Sequence, residues 1–198
     1  MPKDDSDVRP SLIVIDPGHG GTDPGAVNEK MKAQEKDVNL ALALIIKEIV
    51  ETGDFLYRVA LTRSNDSFVS LEDRCRIANE IRAHAFVSLH CNAAENKSAR
   101  GYEVWTSKGQ TQGDILATEL GIALGVAMPY SEGRLDYDDG DLDKEANFYV
   151  LRHTKMPAAL VEVEFISNDD CAVFLKNEAN LRQIAVEMTD SIEVYLES

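Results

Sequence analysis

Residues 12–15 form an unbroken apolar block, and residues 16–28 behind it hold four glycines and two prolines. Such a block ending in Asp16-Pro17-Gly18 predicts a strand buried on both faces, then a sharp turn. Between residues 34 and 52 the apolar positions Val38, Leu42, Ile45, Ile46 and Ile49 keep helical spacing, and Gly53 ends the run. Residues 57–62 predict a second strand. Ser70 and Asp73 resemble a capping box opening a helix to about residue 82, with Leu71, Ile77, Ala78 and Ile81 on its apolar face. Strands are predicted at residues 85–89, 101–107, 147–151 and 158–165, and helices at 112–127, from Asn168 onward, and at 179–196. This alternation predicts an α/β fold: one layered domain over residues 11–198, with a largely parallel, twisted sheet of about six strands flanked by helices. Residues 1–10 are polar and read as a flexible N-terminal tail.

Composition narrows the class. The chain has 198 residues, 44% of them apolar, which is ordinary for a globular protein. Lys and Arg number 20 against 35 Asp and Glu, a net charge of −15, so neither nucleic acid nor anionic lipid is expected as a partner. No apolar run approaches the ~20 residues of a membrane span, and the polar N-terminus does not read as a secretory signal. Cys75, Cys91 and Cys171 are odd in number and widely spaced, which predicts reduced thiols in or near the core. The acidic stretch at residues 136–143 fails the calcium-loop pattern, because Leu135 and Tyr137 fall where acidic ligands are required. It is expected to be a solvated loop bordering a groove.

The chemistry gathers at strand ends, where parallel α/β sheets place their sites. His19 follows the first strand, His90 ends the third, and Glu35 opens the first long helix at the same edge. Two imidazoles and a carboxylate suit Zn²⁺ with one position left open. On the residues alone, an ordinary set of polar strand-end groups remains equally open. His84 and His153 read as surface residues. The glycine-rich loop fails the dinucleotide and Walker patterns, since Asp23 replaces the third glycine and no Gly-Lys-Ser/Thr occurs. Glu162 and Glu164 stand two apart in an otherwise apolar strand, and period-two geometry points both to one face. Buried carboxylates need a partner or a task, and general-base work is one such task.

Six ordered motifs carry a resemblance. They are Leu12-Ile-Val-Ile-Asp-Pro-Gly-His-Gly-Gly21, Glu35-Lys-Asp-Val-Asn-Leu40, Arg74-x-x-x-Ala78-Asn79, Phe86-Val-Ser-Leu-His-Cys-Asn-Ala93, Gly101-Tyr-Glu-Val104 and Pro157-Ala-Ala-Leu-Val-Glu162-x-x-Phe165-Ile-Ser-Asn168. Together they resemble the zinc-dependent N-acetylmuramoyl-L-alanine amidases of the amidase 3 type. The resemblance implies one Zn²⁺ per chain on His19, Glu35 and His90, with Glu162 as the catalytic carboxylate. It implies hydrolysis of the amide between the lactyl group of N-acetylmuramic acid and L-Ala of the peptidoglycan stem peptide. Asn92, Arg134 and Arg152 are the candidate substrate contacts. Peptidoglycan and muropeptides are the partners implied, with no partner protein. The site of action is then the cell wall, reached by a phage endolysin or by a processed catalytic domain. Glu164 and Cys91 depart from the residues usual in the family, and Cys91 is expected to serve packing. The short 51–56 and 65–70 connections leave no room for the inhibitory helical insertion of some relatives, so the site is expected to be open. The alternatives are a peptidoglycan-binding relative without turnover and a zinc peptidase of similar architecture.

Overall fold

The computed structural model describes residues 10–109, 111–136 and 142–198. Most of the expected N-terminal tail and residues 137–141 of the acidic stretch lie outside these. In chain order the elements are β1 (Ser11–Pro17), β2 (Val27–Asn28), β3 (Ala33–Gln34), α1 (Glu35–Thr52), β4 (Tyr57–Leu61), α2 (Leu71–Glu80) and β5 (Ala85–Asn92). There follow β6 (Glu103–Thr106), α3 (Gln112–Ala127), β7 (Lys144–Glu145), α4 (Tyr149–His153), β8 (Ala158–Phe165), α5 (Asp169–Leu175) and α6 (Glu178–Glu197).

Six strands form one sheet in the order β4-β1-β5-β8-β6-β7, while β2 and β3 pair separately. All neighbours in the sheet run parallel except β6 and β8, which are antiparallel. β1 lies inside the sheet between β4 and β5, and its Ile13, Val14 and Ile15 are fully buried, as an uninterrupted apolar block requires when both faces are covered. Ile13 and Ile15 pack with Leu42 and Ile46 of α1, Leu120 of α3 and Ile184 of α6. Val14 and Phe86 face the other way, toward Cys75 and Ala78 of α2 and Val150 and Leu151 of α4. Parallel pairing of β1, β5 and β8 brings their carboxyl ends to one edge, which is where the site forms.

Three local expectations need correction. Residues 147–151 are not a strand, because Tyr149–His153 is a short helix. Asn79 of α2 pins that helix, donating to the His153 carbonyl at 2.8 Å and accepting from Lys155 N–H at 2.8 Å. The buried face of α2 is Arg74, Cys75 and Ala78, whereas Leu71 and Ile81 are exposed. Arg74 is buried because its guanidinium donates to the Asp16 carboxylate and to the Pro17 and His19 carbonyls. Asp143, expected to be solvated, is buried and accepts from the Thr106 hydroxyl. The capping Ser70, by contrast, accepts from Asp73 N–H as expected, and all three cysteines are buried free thiols.

Candidate active site

The loop after β1 is built to present His19. Gly18 N–H still donates to Leu89 O at 2.9 Å, continuing the β1–β5 ladder, and then His19 turns into the left-handed region at φ 60°. A non-glycine residue there is strained and must be held by its surroundings. Two buried arginines hold it. Arg63 donates to the carbonyls of Pro17 (2.9 Å), Gly18 (2.9 Å) and Lys36 (2.8 Å). Arg74 donates to Pro17 O and His19 O, each at 2.7 Å, and to the Asp16 carboxylate at 2.6 Å. Asp16 is itself buried and takes the Thr62 and Ser88 hydroxyls as well.

Glu35 is fixed from the opposite side. Its N–H donates to Ala26 O at 2.9 Å, and its Oε2 accepts from Ala26 N–H at 2.8 Å. That reciprocal pair closes the glycine-rich loop onto the start of α1. Glu35 Oε1 lies 3.1 Å from His19 Nε2 and 2.9 Å from His90 Nδ1, and accepts from Cys91 N–H at 3.1 Å. His19 uses its other nitrogen, Nδ1, on Asp23 at 2.8 Å. Two glycines make the closeness possible. A Cβ on Gly18 would stand 2.4 Å from His90 Nε2, and one on Gly25, at φ 65°, would stand 2.6 Å from Glu35 Oε2.

His19, Glu35 and His90 thus offer three ligand atoms lying within 4.8 Å of one another. Burial alone would raise the Glu35 carboxyl, but hydrogen bonds and charge from His19 and His90 outweigh it and hold Glu35 well below the usual carboxylate range. Burial likewise favours a neutral His19, yet Glu35 and Asp23 raise its pKa to about 9. The trio therefore attracts positive charge to its centre, as protons on imidazole or as a metal ion that displaces them. Two nitrogen donors and one oxygen donor, with Asp23 orienting one imidazole, fit a catalytic Zn²⁺ site with an open position.

Glu162 faces the same cleft of about 500 Å³, lined also by Gly18, Phe68, Leu71, Phe148, Tyr149 and Leu160. It pairs in register with His90. Its Oε2 is buried with no hydrogen-bond partner among the described residues. Burial raises its pKa to about 7; the His90 charge pulls down, while Glu35 and Glu103 push up.

The expectation that Glu164 shares this face is wrong. His90 pairs with Glu162, but Asn92, two residues on, pairs with Phe165, three residues on. One extra residue in β8 makes a bulge, so Phe165 takes the face of Glu162 and Glu164 turns away. Glu164 accepts from Gly101 N–H (2.8 Å), Phe165 N–H (2.9 Å) and the Ser131 hydroxyl (2.6 Å), and borders a separate cavity with Met128, Cys171 and Phe174.

Of the expected substrate contacts, Asn92 and Arg134 converge on Glu103 beside Glu162. Arg152 does not join them, and instead lines another cleft with Thr111, Met156 and Pro157. His84 and His153 are exposed and away from the trio, with their Nδ1 atoms on Leu12 N–H and Tyr149 O. Cys91 is buried against Asn39. The supporting roles of Arg63, Asp16 and Asp23 are not evident from the sequence pattern. The one available signal was a cation directly after the apolar strand at residues 57–62.

A sequence profile described as N-acetylmuramoyl-L-alanine amidase matches residues 13–194. The chain belongs to this family of cell-wall amide hydrolases. It is similar to the probable cell wall amidase LytH of Staphylococcus aureus, at 32% identity over 195 residues that make up 98% of this chain and 61% of that protein. The chain thus spans about three-fifths of the length of the curated relatives it matches. Among solved structures, the catalytic domain of CwlV, N-acetylmuramoyl-L-alanine amidase from Bacillus (Paenibacillus) polymyxa var. colistinus, superposes with a TM-score of 0.85 at 32% identity, covering 94% of this chain and 98% of that one. The N-acetylmuramoyl-L-alanine amidase of Clostridium difficile 630 gives a TM-score of 0.86 at 31% identity, covering 96% and 98%. The expected fold and the family resemblance are borne out.

Proposed function

We propose that this chain hydrolyses the amide between the lactyl group of N-acetylmuramic acid and L-Ala of the stem peptide, with His19, Glu35 and His90 holding Zn²⁺ and Glu162 acting as general base. The observation that carries this is a single cleft lined by His19 and His90 of the three-ligand cluster and by Glu162, whose buried Oε2 has no hydrogen-bond partner among the described residues. When bound, Zn²⁺ supplies Lewis-acid polarisation of the scissile carbonyl and acidifies water. Glu162 removes the proton from the attacking water and delivers it to the departing L-Ala amine, a transfer favoured by a carboxylate whose pKa sits near 7. Phe68, Leu71 and Leu160 give the cleft beside that carboxylate an apolar side. Asp23, through His19 Nδ1, holds one imidazole in orientation.

The test is incubation of purified wall with the protein, followed by assay of new lactyl ends and free L-Ala amino termini. Both should appear together, and chelation should stop them. Binding without new termini would indicate a non-catalytic relative. New termini elsewhere in the peptide would indicate a peptidase. In the purified protein one zinc per chain should be measurable, and folded His90→Ala protein should lose it. Stoichiometric zinc retained by that variant would remove His90 from the ligand set.

A further inference from the structure

Glu103, on the antiparallel strand beside β8, is a buried carboxylate that the proposed hydrolysis does not use. Its Oε1 accepts from Arg134 Nε at 2.7 Å and from Lys144 Nζ at 3.1 Å, while its Oε2 accepts from Asn92 Nδ2 at 3.1 Å. Two cations share one carboxylate. Each also lies over an aromatic ring: Arg134 is 5.2 Å from the Phe165 centroid and Lys144 is 5.1 Å from that of Trp105. Two nearby carboxylates are engaged elsewhere, Asp143 with Thr106 and Glu145 with Gly109 N–H, while Glu162 stands next in the row. In a chain of net charge −15, a paired-cation corner on the cleft side runs against the overall sign.

The placement follows from register. His90, Glu162 and Glu103 are partners in one row across β5, β8 and β6. Strands lie ~4.8 Å apart, which puts Glu103 roughly 10 Å from His90 along the row. Phe165 is on this face because of the bulge, and Trp105 shares it with Glu103 by strand alternation. An extended peptide advances about 3.3–3.6 Å per residue. With the scissile amide at His90 and Glu162, a side group two residues along the stem arrives at the cations that Glu103 holds. Half of the Arg134 side chain is exposed, at 48%, and so is 23% of Lys144, so both present charge outward.

We propose that Arg134 and Lys144, held side by side by Glu103, form a subsite for the carboxylate carried by the second residue of the stem peptide. The subsite presupposes the hydrolytic role above and adds to it a preference between free-acid and amidated stems. Arg134 and Lys144 are binding residues here, and Glu103 is a positioning residue.

The probes are two soluble muramyl dipeptides, identical except that the second residue carries a free α-carboxylate or a carboxamide. Dissociation constants are measured on zinc-loaded Glu162→Gln protein, where turnover does not intervene, and kcat/KM on the parent enzyme. The free acid should be preferred by at least ~10-fold, the worth of one hydrogen bond to a charged group. Arg134→Gln and Lys144→Gln should each narrow that ratio, and together they should bring it to one. Lys144→Arg should keep the preference, and Glu103→Gln should narrow it by releasing both cations. Equal binding of the two probes would overturn the subsite, as would variants that weaken both probes by one factor. A clear binding preference on Glu162→Gln protein, joined to failure of the parent to release L-Ala termini, would uphold the subsite and defeat the hydrolytic role instead.

Discussion

Glu162 and Glu164 stand two residues apart on β8. Glu164 has both carboxylate oxygens occupied, by Gly101 N–H, Phe165 N–H and the Ser131 hydroxyl, while Glu162 keeps a buried Oε2 without a partner among the described residues. Without the extra residue in β8 both side chains would enter one cleft, and two carboxylates would compete there for one proton. The bulge instead makes one of them a structural tie between β8 and the segments at Gly101 and Ser131, and leaves the other free to take protons. A buried acid is thus assigned its task by the neighbours the backbone supplies.

The widest gap between the two should appear on substitution by glutamine. Glu162→Gln should cut wall hydrolysis at least ~10²-fold, the low end for loss of an acid–base group, while zinc content is unchanged. Glu164→Gln should keep turnover but lose about 1–3 kcal/mol of stability, because its donors face a poorer acceptor. Rates and thermal unfolding on both proteins check this, and a reversal of the two outcomes would mean the register is misassigned.

A subtler contrast lies in pH. The pKa of Glu162 is raised to about 7 in the folded chain, from the ordinary 4.5. The folded state therefore binds the extra proton, and this contribution to stability is full below about pH 4.5 and lost as pH rises through 7. Metal-stripped Glu162→Gln should accordingly be more stable than the metal-stripped parent at pH 8, by up to about 3 kcal/mol. The advantage should shrink toward pH 5. Denaturant titrations of both proteins at the two pH values decide it, and a gap that widens on acidification would contradict the burial described for Glu162. The smallest effect is expected from Ser131→Ala, which removes one bond to Glu164. It should cost about 1 kcal/mol, or about 2–4 °C in Tm for a chain of this size, and leave the pH profile of hydrolysis in place.

Long periodic segments were legible from residues alone. The helices at Glu35–Thr52 and Gln112–Ala127 and the strand at Ala158–Phe165 lie where their apolar spacing puts them. The gathering of His19, Glu35 and His90 was legible as well, since it needs only parallel strands and a helix start at one edge. The bulge was not, because a period-two pattern assumes a regular strand and one inserted residue leaves no mark on composition. Residues 147–151 read as a strand because Phe148, Tyr149 and Val150 favour extended structure, and the five residues of the Tyr149–His153 helix are too few to display helical spacing. Here the Asn79 contacts override propensity. Arg63 and Arg74 could not be seen as clamps, since their partners are main-chain carbonyls that any sequence possesses.

The position of β8 has a consequence for how the molecule comes into being. It is the last strand to be synthesised, yet it lies inside the sheet, between β5 and β6. His19, Glu35 and His90 are all in the first half of the chain, on segments that pair with one another without it. Until residues 158–165 leave the ribosome, β6 and β7 have no sheet to join, and the trio has no Glu162 across the cleft. Vectorial synthesis thus separates assembly of the His19–Glu35–His90 trio from arrival of the proposed base, and a nascent or truncated chain that lacks β8 carries the trio without that carboxylate.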